Sequence, residues 1–145
     1  MISQIVEIAK RSAQYVANMN ANIIRVVESN KDLMIDINRS QFISSKDATG
    51  KPLTRVSTGS TKLSKAYARK AGKSKPDFFL SGQFQDEMIF FMPNEKEYFI
   101  NSRVRPYLSP QYGGSIFGVT PNNQSKAKDI NDKLVVEDYK KFTFQ

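Results

Sequence analysis

Chemistry needs reactive groups of the right type at a workable spacing, and this chain offers few. Its 145 residues contain no Cys and no His, which removes thiolate nucleophiles, imidazole bases, disulfides and Cys/His metal sites together. Paired carboxylates are what remains of the common catalytic sets. Asp86-Glu87 and Glu137-Asp138 are such pairs, but neighbours on a strand point to opposite faces and neighbours on a helix diverge by about 100°. Neither pair can share a substrate or metal without residues from elsewhere, so both read as solvated charge. Ser81-Gly82 lacks the glycine that precedes the serine in a nucleophile elbow. Gly113-Gly114-Ser115-Ile116-Phe117-Gly118 lacks the Gly-Lys-Ser/Thr ending that puts a lysine on a bound phosphate. That segment reads as a glycine turn with Ile116 and Phe117 buried as an anchor. No catalytic residue, cofactor or metal is expected.

The charge is a stronger signal than any of these motifs. Between Lys46 and Lys75, nine basic residues face one acid, a surplus of 8, while the rest of the chain holds 13 basic and 13 acidic residues. The protein is thus a neutral body with one cationic segment, and its partner should be acidic: nucleic acid or an acidic protein surface. Lys62, Lys65, Arg69 and Lys73 follow one another at three to four residues, the spacing of a helical stripe that can track phosphates. With Lys70 and Lys75 they form the candidate contact for a partner or a DNA backbone. Tyr67 is the single aromatic within the segment, so stacking on single-stranded bases is not expected. No base-reading motif is present, and any nucleic-acid contact should be independent of sequence. A solvated face that touches neither kind of partner is the plain alternative.

The elements that must position these groups follow from periodicity and punctuation. Apolar residues from Ile2 to Val27 recur at three- and four-residue spacing, which predicts a long amphipathic first helix; Glu7, Lys10, Arg11 and Asn18 interrupt it, so neither a signal peptide nor a membrane span is expected. From Asp32 to Arg39, Leu33, Ile35 and Ile37 alternate as a strand would, yet Leu33, Ile37 and Phe42 also serve a helix, and a second helix is the expectation. Asp47-Ala48-Thr49-Gly50 predicts a turn, and Ser64 to Ala71 a short basic helix ended by Gly72. Residues 46–75 hold few large apolar side chains and read as an extended arm or loop that orders on a partner. Met88–Met92 and Glu97–Asn101 flank a polar turn and predict a hairpin, its first strand apolar enough to be covered on both faces. Thr120-Pro121 starts a last helix whose face is Ala127, Ile130, Leu134 and Tyr139. The sum is one soluble α+β domain over 1–145: a long N-terminal helix, a basic arm, a small antiparallel hairpin and a C-terminal helix.

Several short motifs, in this order, resemble a known family. Gln41-Phe42, then Asp47-Ala48-Thr49-Gly50-Lys51-Pro52-Leu53, then Tyr67 and Lys70-Ala71-Gly72, then Asp77-Phe78-Phe79-Leu80-Ser81-Gly82-Gln83-Phe84, and last Tyr112 to Thr120 are similar to small virion proteins of tailed bacteriophages and prophages of the head–tail joining type, the neck or tail-completion proteins. Ser81 stands where Thr is commoner and Gln83 where an acid is usual, and Arg55–Lys62 lengthens the basic arm. The resemblance implies a non-enzymatic structural protein, made in the host cytoplasm and carried in the virion, that forms a ring of identical subunits around the DNA channel. Its partners would be the portal, an adaptor or neighbouring tail and neck proteins, with possible contact to the DNA backbone and none to a membrane. Leu80, Gly82, Phe84, Ile116, Phe117 and Gly118 are then its structural anchors. The alternative is a sequence-independent nucleic-acid-binding protein that uses the basic arm.

Overall fold

The computed structural model describes residues 1–78 and 82–145. The predicted first helix is broken: α1 spans Ile2–Ala17, α2 Met19–Ser29 and α3 Lys31–Ile43. The breaks fall at Asn18 (φ −106°, ψ 21°) and Asn30 (φ −111°, ψ 27°), in the bridge region just outside helical angles. Asparagine competes with its own main chain for hydrogen bonds. The Asn18 side-chain amide donates to the Gln14 carbonyl at 3.0 Å, and that of Asn22 to the Tyr15 carbonyl at 3.1 Å.

A single long helix, α7 (Pro121–Phe144), lies antiparallel to α1. The Ser12 and Tyr139 hydroxyls meet at 2.8 Å, the Tyr15 hydroxyl donates to the Asp138 carboxylate at 2.8 Å, and Ser3 and Gln4 lie beside Thr143 and Phe144. Arg25 of α2 clasps the same carboxylate at 2.5 and 3.1 Å. Only Tyr15 of α1 is buried. Thr120 begins α7 with its main-chain carbonyl, which accepts from Gln124 N–H at 2.8 Å; its side chain makes no capping bond. Of the predicted face, Ala127 is buried, Leu134 and Tyr139 half-buried, and Ile130 exposed.

β1 (Met88–Asn94) and β2 (Glu97–Ser102) pair as an antiparallel hairpin, with Phe90 opposite Ile100 and Phe91 opposite Phe99. Met88, Phe90 and Ile100 turn inward onto α3, where Met34, Ile35 and Phe42 complete the core with Phe84 and Ala127. Cover on both faces is not found. Phe91 and Phe99 are 48% and 51% exposed and stack on each other at 5.2 Å. The helices α2 and α3 pack against β1, and its continuous apolar run buries Met88 and Phe90 but leaves Phe91 exposed, the alternation of a strand. The fold is a small α+β unit with helices at both ends, and among the described residues no helix is long and apolar enough to cross a membrane.

Two buried amides tie the halves together. Asn38 donates to the Ile116 carbonyl at 3.1 Å and accepts from Gly118 N–H at 3.4 Å; Gln41 donates to the Gly118 carbonyl at 2.9 Å and accepts from Thr120 N–H at 3.0 Å. One face of α3 thus supplies the hydrogen bonds that a neighbouring strand would give to residues 116–120. Each side chain is buried, where an unpartnered amide would cost about 1–3 kcal/mol.

Candidate functional site

The basic segment is docked on this body along much of its length. Asp47 opens the predicted turn: its carboxylate accepts from Thr49 N–H at 2.8 Å, the Thr49 hydroxyl at 2.6 Å and Lys51 N–H at 3.1 Å, and Gly50 takes φ +83°. Burial works to raise the Asp47 pKa, but these bonds and one from the Ser115 hydroxyl outweigh it and hold the carboxyl below its ordinary value. Ala48 N–H donates to the Ser115 carbonyl and Val56 N–H to the Gln111 carbonyl, both at 2.8 Å. Leu53, 1% exposed, plugs into the core. The segment expected as an extended arm or loop is a loop held by main-chain bonds and one apolar anchor.

α4 (Lys65–Ala71) follows, with the Ser64 hydroxyl accepting from Tyr67 N–H and Gly72 closing the helix at φ +70°. The helix is shorter than the expected stripe. Lys65 and Arg69 share one of its faces, whereas Lys62 precedes the cap and Lys73 lies beyond Gly72. Lys62, Lys65, Arg69, Lys70 and Lys75 are exposed, and none of them makes an ion pair among the described residues. Lys73 differs: it is half-buried and pairs with Asp77.

The expected anchors converge, apart from Leu80, which lies outside the described residues. Gly82 is buried at φ +80° and precedes α5 (Gln83–Asp86). Phe84 is 1% and Ile116 0% exposed. Phe117 packs on Phe84 with ring centres 5.9 Å apart, Phe42 lies 4.9 Å from Phe78, and Phe78 lies 5.0 Å from Tyr112. Gly118 adopts φ +129°, and a Cβ there would sit 3.0 Å from that of Ala48. Rings from three of the motifs singled out in the sequence thus form one aromatic cluster. Beside it, α6 (Leu108–Tyr112) and a single 3-10 turn over Gly114–Ile116 complete the wall.

The carboxylate pairs do not assemble. Glu137 is exposed and Asp138 is engaged by Arg25 and Tyr15; the Arg25 hydrogen bond holds its carboxyl below the ordinary value against the opposing effect of burial. Among the described residues no group of three His, Cys, Asp or Glu side chains is placed to hold a metal. Sequence reasoning missed Arg55 as an inward residue, and missed Arg105, Tyr107 and Tyr112 beside it. The available signal was the cation–aromatic cluster Arg105-Pro106-Tyr107 followed by Tyr112 at a glycine turn. Burial raises the Tyr112 pKa, with Arg55 opposing. No protein-family model, curated protein or solved structure matches the chain.

Proposed function

We propose that this chain is a non-enzymatic structural subunit of a tailed-phage head–tail junction, part of a neck, connector or tail-completion ring around the DNA channel. The virion setting comes from the motif resemblance. The observation that carries the assembling role is the apolar stripe of α1: Ile2, Ile5 and Val16 are 79%, 60% and 58% exposed. An apolar helix face left in water favours burial against another chain, and a ring needs such heterologous contacts between identical subunits. The exposed cations Lys62, Lys65, Arg69, Lys70 and Lys75, which make no ion pair among the described residues, support contact with an acidic portal or adaptor surface, or with the DNA backbone.

Light scattering and negative-stain microscopy at physiological salt, on the protein alone and with the portal encoded beside it, test this reading. Closed rings in either sample are expected, and Ile5→Glu should abolish them. A monomer in both samples overturns it. The same cations favour a second reading, sequence-independent nucleic-acid binding. It predicts retardation of unrelated duplexes that weakens with salt at a log–log slope of about −0.9 per phosphate neutralised.

A further inference from the structure

The inward side of the basic segment encloses a cavity of about 260 Å³ between residues 55–78 and 105–112. Arg55, Lys73 and Arg105 line it against one carboxylate, Asp77, and Tyr67, Tyr107 and Tyr112 supply aromatic walls. Arg55 lines this cavity, and its Nε is buried with no hydrogen-bond partner among the described residues. A buried guanidinium N–H without an acceptor is costly, and it is the group whose planar fork best matches a phosphate. Arg105 and Phe78, both on the cavity wall, hold φ +52° and φ +58°. Non-glycine residues in this left-handed region carry strain and concentrate at ligand clamps.

Size and charge narrow the ligand. At ~30 Å³ per water the cavity has room for about nine waters, more than an inorganic anion fills, and it falls just below the ~300 Å³ at which drug-sized ligand sites begin. The lining carries a formal surplus of two positive charges, which a phosphate monoester dianion neutralises. Tyrosine faces accept a flat heteroaromatic ring by stacking. We infer that this cavity is a binding site for a nucleoside monophosphate, its phosphate on Arg55 and Arg105 and its base against the tyrosines. The site is separate from the exposed cations of α4 and does not depend on the assembly reading.

The test is a titration of the full chain with dAMP, followed by amide shifts in NMR and by tyrosine fluorescence, with deoxyadenosine and inorganic phosphate as parallel arms. Saturable binding of dAMP is expected, with shifts centred on Tyr107, Gln111 and Tyr112, and with each partial ligand at least about tenfold weaker. Arg55→Gln and Arg105→Gln should each weaken dAMP about tenfold, the loss of one charge-assisted hydrogen bond; Lys133→Gln, on exposed α7, should not. The shift map of the unaltered protein stands even if a variant fails to fold. No saturation by dAMP, shifts confined to Lys65, Arg69 and Lys70, or an affinity equal to that for inorganic phosphate overturns the site.

Discussion

Leu53→Ala tests whether one side chain holds the basic segment to the body. Leu53 is 1% exposed and is the only fully buried residue between Phe42 and Pro76. Removing its three distal carbons forfeits about 2.4 kcal/mol at ~0.8 kcal/mol per buried carbon, and an unrelaxed cavity brings the loss to about 3–5 kcal/mol. What remains to hold the segment are main-chain bonds such as those of Ala48 and Val56, each contributing about 0.5–1.5 kcal/mol net, against a backbone ordering cost of about 1–2 kcal/mol per residue. Local detachment should therefore become a hundredfold more frequent or more, at about 1.4 kcal/mol per tenfold. Hydrogen exchange reads this directly. The amides of Ala48, Val56 and Leu63 should exchange at least about a hundredfold faster, while those of α3 and β1 keep their protection. Uniformly faster exchange across the whole chain, with a lowered Tm, would show that the segment and core open as one unit. No change at Val56 would sink the claim that Leu53 is the anchor.

Four further outcomes follow from the geometry. Tyr15 is pushed up to about 12, first by burial and then by its hydrogen bond to Asp138; its folded pKa lies above the unfolded value, so the stability it contributes is complete below about pH 10 and is lost as pH rises from there toward 12. Alkaline denaturation in that window should flatten in Tyr15→Phe, at a cost near neutrality of about 1 kcal/mol; Asp138, whose folded pKa is depressed, contributes stability above its unfolded value of about 3.9 that is lost as pH falls below it, so Asp138→Asn should blunt the acid limb. Gly118→Ala, at φ +129° with Ala48 in the way, should cost about 1–3 kcal/mol by denaturant unfolding. Phe99→Thr removes the exposed cross-strand stack with Phe91 and should cost at most about 1 kcal/mol in the same assay while raising solubility.

Local grammar was readable in the chain. Ser64 and Gly72 bracket α4, Asp47 and Gly50 make their turn, and Pro121 starts α7, because each acts through bonds or angles within a few residues. What escaped depended on distant partners. The face on which Phe91 and Phe99 stand exposed is set by how many layers cover a hairpin, which a strand's own composition does not record. Leu53 is one apolar residue among polar ones, and only its distant neighbours make it an anchor. Asn38 and Gln41 carry no local signal of their role; only the fold shows that their three-residue spacing places both amides on the chain at 116–120. The cationic segment was legible as charge but not as two sides, one with Lys62, Lys65, Arg69, Lys70 and Lys75 in water and one with Arg55 turned inward.

The antiparallel contact of α1 with α7 brings Ser3 and Gln4 beside Thr143 and Phe144, so both ends of the chain emerge at the same corner. Tension applied across those ends loads the helix pair in unzipping geometry, parting one turn at a time from the corner inward, rather than in shear. With Tyr15 the one buried residue of α1, unzipping first meets the Ser12–Tyr139 bond, and the Tyr15–Asp138–Arg25 cluster is the main mechanical stop behind it. Below that stop α3, the hairpin and residues 116–120 bear no load. Force can therefore strip the outer helix from its partner and leave the aromatic cluster and the basic surface in place.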